Sequence, residues 1–264
     1  MNSVLTSLRS PHIGRVKALH TSKGRKTANE FLAEGPQAVE AAIKSKKFKV
    51  TQMYVTEAAL DQFSKLISSD PIVVSEKVMA AMSSVENSQG ILAVCIKDAL
   101  PDLNKLTATS NLLIYCHEIN DPGNLGTIIR SAHALGAQGL ILSPGSVDPF
   151  SPKVVRASAG SLWQLPFVIN IEFEELVRSA QEVDMKSIAM TGGGKKILNE
   201  FIKLLPKKSV FVFGNEAHGL PKEIITKCDE QVRIPMKAGA ESLNLATSAA
   251  LVIYAASNAL TPIE

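Results

Sequence analysis

The chain has 264 residues, 45% of them hydrophobic, and a formal net charge of +3. This length suits two domains, and the apolar content is sufficient for a core in each. No apolar run is long enough to cross a bilayer, and the three scattered cysteines form no C-x-x-C pair, which argues against a membrane protein, a disulfide scaffold and a zinc site. We therefore expect a cytoplasmic protein that binds no metal and no membrane.

The positive charge is concentrated near the N-terminus. Residues 1–50 hold ten Lys and Arg against three Glu, a surplus of seven, so the remaining residues carry a net charge of −4. A basic lobe on a near-neutral body is what binding to a phosphate backbone requires, although a solvated basic terminus has the same composition. Acids are absent before Glu30, as in mitochondrial presequences, but the segment reads as a helix that continues into the next elements, and we expect no removable presequence.

The first part of the chain alternates strand-like and helix-like patterns. Apolar runs predict strands at residues 31–33, 50–55, 72–74 and 91–96, and the segments between them predict helices at residues 36–44, 60–67 and 78–82. Residues 98–110 are polar and contain a proline, which is typical of a linker. We therefore expect one domain, with its linker, in residues 1–105 and a second domain in residues 106–264.

In the second part, apolar runs alternate with helical patterns, and the last helical pattern covers residues 243–259. The runs cover residues 111–116, 139–142, 167–169, 187–190, 209–213 and 232–234. This alternation predicts an α/β domain in which a parallel sheet is covered by helices on both faces.

Three polar segments follow predicted strands in this part of the chain: residues 124–130, 214–219 and 234–246. Ligands of open α/β sheets bind at the carboxyl ends of the strands, so the three segments indicate one composite site. Taken singly, each segment also fits an ordinary loop, and Asn124, Ser242 or Asn244 could cap the helix that follows.

The three segments together resemble the signature motifs of the SpoU (TrmH) family of RNA ribose 2′-O-methyltransferases, a part of the SPOUT class. The form N-x-G-x-x-x-R is met by Asn124, Gly126 and Arg130, the form G-x-E-x-x-G by Gly214, Glu216 and Gly219, and the form I-P-M, loop, S-L-N by residues 234–236 and 242–244. The resemblance covers residue 111 to the C-terminus. It implies a SPOUT parallel sheet with a deep trefoil knot and S-adenosylmethionine as the methyl donor.

The N-terminal part is similar to a small RNA-binding domain that many SpoU members carry, and that domain resembles the RNA-binding modules of ribosomal proteins. The likeness rests on an F-L-x-E-G segment with Phe31, Glu34 and Gly35. It implies a small N-terminal α/β domain that binds the RNA substrate. It also implies that the RNA is large-subunit (23S) rRNA.

The family resemblance also implies roles for individual residues. The cofactor pocket would be lined by Thr191, Gly192, Gly214, Ile234 and Leu243, and the catalytic groups would be Asn124, Arg130, Glu216, Ser242 and Asn244. An arginine stays protonated at ordinary pH, so we expect Arg130 to clamp a phosphate and stabilise alkoxide charge rather than act as a base. Glu216 is expected to orient Arg130 or the loop through a charge-assisted hydrogen bond.

The small residues of the last helix predict a homodimer interface, and the resemblance implies that the dimer completes the site. Three alternative functions remain open: a tRNA 2′-O-methyltransferase, a non-catalytic RNA-binding protein of ribosome assembly, and a base methyltransferase on the same scaffold. The presence of Arg130 and of residues 242–244 favours an enzyme that acts on ribose.

Overall fold

The computed structural model describes residues 4–45, 47–67, 70–237 and 242–260. The helices are α1 Pro11–Ala18, α2 Ser22–Ala28, α3 Pro36–Lys44, α4 Glu57–Gln62, α5 Glu76–Met82, α6 Leu103–Thr109, α7 Pro122–Ala134, α8 Pro152–Ala157, α9 Phe173–Glu182, α10 Leu198–Phe201, α11 Lys222–Lys227 and α12 Leu245–Leu260. The strands are β1 Glu30–Glu34, β2 Val50–Val55, β3 Ile72–Val73, β4 Ile91–Ile96, β5 Leu112–Cys116, β6 Gly139–Leu142, β7 Phe167–Val168, β8 Lys186–Met190, β9 Lys196–Ile197, β10 Ser209–Phe213 and β11 Glu230–Arg233.

Every strand predicted from the apolar runs is present, with ends that differ by up to two residues. The helix predicted at residues 60–67 is wrong in its bounds, because α4 begins at Glu57. The Thr56 hydroxyl accepts a hydrogen bond from the Ala59 backbone N–H and so starts the helix early. The sequence also gave no indication of the two-residue strand β9, which is too short to carry a pattern.

Part of the segment interpreted as a linker is helical. In α6, Asp102 caps the N-terminus and accepts a hydrogen bond of 3.0 Å from the Lys105 backbone N–H. Leu103, Leu106 and Thr107 share one face and are buried. The linker interpretation of these residues is therefore wrong, because two turns of helix with a short apolar face were hidden by a polar composition.

The first of two compact units contains Met1–Ala99 together with Asp148–Gln164. Its sheet has the order β1-β4-β2-β3, in which β4 runs antiparallel to β1 and β2, and β3 runs parallel to β2. All residues of β1 are buried, and the strand contains the first four positions of the F-L-x-E-G segment. This sheet and its helices form the small α/β domain that the sequence predicted.

The segment Asp148–Gln164 lies between β6 and β7 in the chain but packs in the first unit. The Phe150 ring centroid is 4.9 Å from that of Phe31, and the Trp163 ring centroid is 5.8 Å from it. The buried Arg25 guanidinium donates to the Asp148 carboxylate at 2.7 and 2.8 Å. The two compact units are therefore not two consecutive stretches of chain.

The second unit contains Leu100–Val147 and Leu165–Glu264 and holds a parallel sheet of order β7-β6-β5-β10-β8-β11-β9. Its central strands β5 and β10 are buried along their whole length. The prediction of a parallel α/β sheet is confirmed. Because β8 lies between β10 and β11 and all three strands are parallel, the loops that follow them lie side by side at the carboxyl ends of the strands.

The chain path at that edge does not by itself show the trefoil knot, which stays a prediction. Within the described ranges, no helix combines the length and the apolarity needed to traverse a bilayer.

Candidate active site

A cavity of about 290 Å³ opens at the carboxyl edge of the parallel sheet. This volume is near the lower end of the range of about 300–1,000 Å³ that is usual for small-molecule sites. The lining comes from the loops after β8, β10 and β11 and from the start of α12: Met190, Thr191, Gly192, Phe213, Gly214, Asn215, Glu216, Gly219, Leu220, Ile234, Met236, Ser242, Leu243, Leu245 and Ser248.

The residues expected to bind the cofactor all appear in this lining. They come from three separate loops, and strand order alone brings them together. Of the expected catalytic residues, Glu216 and Ser242 line the cavity, whereas Asn124, Arg130 and Asn244 do not. Residues 238–241 of the third segment lie outside the described residues.

The two glycines of the G-x-E-x-x-G motif close a tight loop. A Cβ at Gly214 would lie 2.1 Å from the Gly219 carbonyl carbon, so only glycine allows the two backbones to cross. Gly219 has a φ of +67°, and Asn215 and Gly219 exchange backbone hydrogen bonds of 3.1 and 2.9 Å. This crossing projects Glu216 from the loop toward the start of α7.

The Glu216 carboxylate holds the loop before α7. It accepts hydrogen bonds from the backbone N–H groups of Asn120 and Asp121 at 3.1 and 3.0 Å, and from the Asn124 side-chain amide at 3.1 Å. Partial burial acts to raise the pKa of Glu216, but the hydrogen bonds from Asn124, Asn120 and Asp121 together lower it below the ordinary value. Glu216 is therefore an ionised hydrogen-bond acceptor that positions this loop.

Asn124 links the first and third motifs. Its side-chain oxygen accepts a hydrogen bond of 2.9 Å from the Asn244 amide, while the Asn244 oxygen accepts from the Ala246 and Thr247 N–H groups at 2.9 and 3.2 Å. Asn244 therefore caps α12. Glu216, Asn124 and Asn244 form one chain of hydrogen bonds that joins three loops far apart in the sequence.

The cap of α7 is Asp121 and not Asn124. The Asp121 carboxylate accepts a hydrogen bond of 2.8 Å from the Asn124 backbone N–H. With the cap supplied by Asp121, the Asn124 amide is free to bond to Glu216 and Asn244. The suggestion that Asn124 caps this helix is thus wrong. The cap is Asp121, which directly precedes Pro122, the first residue of the helix.

Arg130 lies on α7, about two turns after the cap, and is exposed. Among the residues that the structure describes, its guanidinium makes no hydrogen bond or ion pair. The carboxylate of Glu216 contacts the loop before α7 rather than Arg130. Of the two roles expected for Glu216, the structure therefore shows the orientation of a loop, namely the loop before α7, and not the orientation of Arg130.

Asn215 has a role at the site that sequence reasoning missed. Its amide donates to the Glu118 carbonyl at 2.8 Å, and its oxygen accepts from the N–H groups of Ala217 and His218 at 2.8 and 3.3 Å. These bonds fix the Glu216 loop against the loop that follows β5. The signal was only the tendency of asparagine to form such turns, which does not single out a functional position.

No group of three or more His, Cys, Asp or Glu side chains within the described ranges is arranged to hold a metal ion. The polar groups of the cavity are amides, hydroxyls, backbone groups and one carboxylate. This set of groups suits an organic ligand with several hydrogen-bonding positions.

Residues 111–254 match the model of the SpoU rRNA Methylase family, and residues 10–93 match the model of the MRM3-like substrate binding domain. The chain therefore belongs to the SpoU rRNA methylase family. The predicted family and the predicted N-terminal substrate-binding domain are confirmed.

Relatives of similar length support this assignment. The chain is 32% identical over 243 residues to the 23S rRNA (guanosine(2553)-2′-O)-methyltransferase RlmP of Bacillus subtilis, a match that covers 90% of this chain and 92% of the relative. It is 28% identical over 251 residues to the 23S rRNA (uridine(2479)-2′-O)-methyltransferase of Streptomyces viridochromogenes, with coverage of 91% and 87%.

Solved structures share the whole architecture. The AdoMet-bound rRNA methyltransferase from Sinorhizobium meliloti aligns with a TM-score of 0.83 at 28% identity and covers 96% of this chain and 97% of that one. The SpoU methyltransferase AviRb from Streptomyces viridochromogenes, in complex with AdoMet, aligns with a TM-score of 0.83 at 25% identity, with coverage of 95% and 98%. AdoMet is S-adenosylmethionine, so both of these similar proteins bind the cofactor that the sequence predicted here.

Proposed function

We propose that this protein transfers the methyl group of S-adenosylmethionine to a ribose 2′-hydroxyl of large-subunit rRNA. The observation that carries the proposal is one cavity lined by the second and third signature segments and by the loop after β8. Asn124 of the first signature segment is joined to it through hydrogen bonds to Glu216 and Asn244. Two relatives that cover most of this chain are named as 23S rRNA 2′-O-methyltransferases. A ribosomal substrate supports the proposal that the enzyme acts in the cytoplasm.

The cavity fits S-adenosylmethionine in its chemistry. Phe213, Leu220 and Leu243 provide apolar surface for an adenine ring, the backbone at Gly192 is open to close approach, and Gly214 lines the cavity. Thr191 and Ile234 complete the set proposed to hold the cofactor. When bound, the cofactor supplies a methyl group already activated on a sulfonium.

The residues of the chain then have to align the ribose and deal with one proton. Ser242 lines the cavity and is proposed to contact the ribose, while the chain from Glu216 through Asn124 to Asn244 holds the surrounding loops in place. Arg130 is exposed and stays protonated, which suits a clamp on the phosphate next to the target and stabilisation of the developing alkoxide. The proton of the 2′-hydroxyl leaves to that phosphate or to water.

The substrate is proposed to bind to the first unit, Met1–Ala99 with Asp148–Gln164, and the methyl transfer is proposed to take place in the second unit. Two observations support this assignment of roles: the excess of basic residues in residues 1–50, and the match of residues 10–93 to a substrate-binding domain.

We also propose a homodimer that buries the outer face of α12. Leu251 and Tyr254 are 45% and 55% exposed, and together with Thr247 they occupy successive turns of the same face. The opposite face of α12 packs within the second unit, where the helix contacts α7.

Two measurements test the function. Calorimetry should detect uptake of S-adenosylmethionine by the purified protein, and mapping of 2′-O-methylation in total RNA should show one large-subunit rRNA site that disappears when the gene is deleted. A lost site in tRNA would favour the tRNA alternative instead. If the protein takes up no cofactor and deletion of the gene removes no methylation site, a non-catalytic RNA-binding protein would be favoured.

A further inference from the structure

The loop between β8 and β9 borders the cavity and is held against β11 at Thr191 and at Gly194. Thr191 and Gly192 line the cavity, and the Thr191 N–H donates to the Val232 carbonyl at 3.0 Å. Gly194 packs so closely on β11 that a Cβ there would lie 2.5 Å from the Val232 carbonyl carbon. Gly194 is therefore a glycine because of packing within the protein.

The two preceding glycines have no such explanation. Among the described residues, no atom lies within 4 Å of a Cβ built at Gly192 or at Gly193, and neither residue has a φ in the left-handed region. Alanine would fit both positions and would restrict the unfolded chain more than glycine does. Two open glycines beside the cavity leave a backbone that the cofactor can approach at Gly192 and that a second ligand can approach at Gly193.

The charges around this loop indicate the chemistry of that second ligand. Lys196 is occupied, because its ammonium pairs with Glu230 at 2.7 Å and lies 5.6 Å from the centroid of the Phe201 ring. Lys195 is exposed and has no partner among the described residues. Arg233, whose backbone nitrogen lies 2.7 Å from the Cβ position of Gly194, is exposed as well. A bare backbone next to an exposed cation suits a phosphodiester.

We propose that residues 192–195 form a subsite for the RNA backbone, in which Lys195 binds a phosphate close to the target ribose and the bare Gly192 and Gly193 let the strand pass over the cavity. The subsite rests on the proposed function, because it assigns part of the same RNA substrate. Phosphate contacts of this kind position the strand without reading its sequence. The loop thus fixes which ribose is placed at the methyl donor.

The test compares Lys195→Ala, Gly193→Val and the control Lys207→Ala in the full-length protein. Lys207 is also exposed, but it precedes β10 and so lies at the opposite edge of the parallel sheet. The probe is an in vitro transcript of large-subunit rRNA from the same genome. The readouts are RNA affinity as a function of salt, the KM for RNA, the dissociation constant for S-adenosylmethionine, and Tm.

Lys195→Ala should weaken RNA binding about fivefold at low salt and reduce the slope of log affinity against log salt by about 0.7–0.9. Gly193→Val should raise the KM for RNA while Tm stays equal or rises. Both variants should keep the affinity for S-adenosylmethionine, and Lys207→Ala should match the unsubstituted protein in every readout.

The outcomes separate the subsite from the function beneath it. If the unsubstituted protein binds donor and methylates the transcript but both loop variants bind RNA as it does, the subsite is overturned and the function stands. If Lys207→Ala weakens RNA binding as much as Lys195→Ala, the effect is one of general charge and the subsite is again overturned. If the unsubstituted protein binds no donor, both proposals fail.

Discussion

At the scale of single residues, the site depends on one exposed carboxylate that is held by three donors. Glu216 accepts from two backbone N–H groups and from the Asn124 amide, and Asn124 in turn accepts from Asn244. Such a chain is sensitive to the direction of each hydrogen bond, because a donor that meets another donor leaves both unsatisfied. The roles of these residues can therefore be separated by substitutions that keep size and change polarity.

Glu216→Gln should lower kcat by about tenfold to a hundredfold, because an amide replaces one acceptor oxygen and turns a donor toward Asn124. The loss of stability should be only about 1 kcal/mol, since solvent screens this exposed group. Steady-state kinetics and urea unfolding measure the two effects. Glu223→Gln, an exposed substitution in the first turn of α11, is the control and should change neither.

The lowered pKa of Glu216 predicts how stability depends on pH. A carboxyl with a lowered pKa in the folded state contributes stability above its unfolded pKa and loses that contribution as the pH falls through the folded pKa. The difference in unfolding free energy between the unsubstituted protein and Glu216→Gln should thus be constant near neutral pH and shrink below the ordinary value of 4.5. A difference that grows on acidification would contradict the assignment.

Arg130→Lys should weaken RNA binding and keep part of the turnover, because a lysine retains the charge but loses the two-pronged grip on a phosphate. Filter-binding affinities and kcat as a function of pH measure this. Arg178→Lys, on the exposed surface of α9, is the matched control. Complete loss of turnover at unchanged RNA affinity, with recovery at high pH, would instead identify Arg130 as a base.

At the scale of elements, the loop after β10 and the short helix α6 show how local geometry shapes the site and the core. The loop after β10 turns back on itself because Gly214 and Gly219 allow two backbones to cross. The helix α6 begins at a cap and buries Leu103 and Leu106, so it belongs to the core of the second unit. Both elements depend on one or two residues that a composition average does not reveal.

Gly214→Ala should displace the loop after β10, because its Cβ would fall 2.1 Å from the Gly219 carbonyl carbon. The expected cost is about 2–4 kcal/mol of stability together with loss of donor binding, as for other overpacked sites. Thermal unfolding and calorimetry provide the measurements. Gly14→Ala, in the open interior of α1, should instead stabilise the protein by about 0.5–1 kcal/mol.

At the scale of the whole molecule, the fold consists of two compact units, and the first of them includes a segment from between β6 and β7. That segment supplies Phe150 and Trp163 to the aromatic cluster around Phe31. The first unit therefore needs a part of the chain that lies far beyond its own sheet. The remaining exposed apolar surface on α12 is the reason for proposing a second copy.

Leu251→Glu should convert the proposed dimer into a monomer, because it places a charge in the middle of an apolar interface. Light scattering should then report half the mass, and turnover should fall with it if the second copy completes the site. Leu8→Glu is a matched control, since Leu8 is 53% exposed against 45% for Leu251 and belongs to the first unit. An active monomer of the unsubstituted protein would contradict the dimer.

The sequence by itself determined the family, the parallel strands and the identity of the motif residues. These features depend on local spacing: apolar runs of strand length, glycines where backbones cross, and polar groups directly after each strand. The five residues expected at the cofactor pocket could be named because these motifs carry the family resemblance, and the structure places all of them around one cavity.

Only the tertiary structure decided how those pieces meet. The position of β8 between β10 and β11, the hydrogen bonds that join Glu216, Asn124 and Asn244, and the packing of Asp148–Gln164 in the first unit each depend on contacts between residues distant in the chain. No short-range pattern encodes such contacts, because pairing and burial are settled by competition among all surfaces of the folded chain.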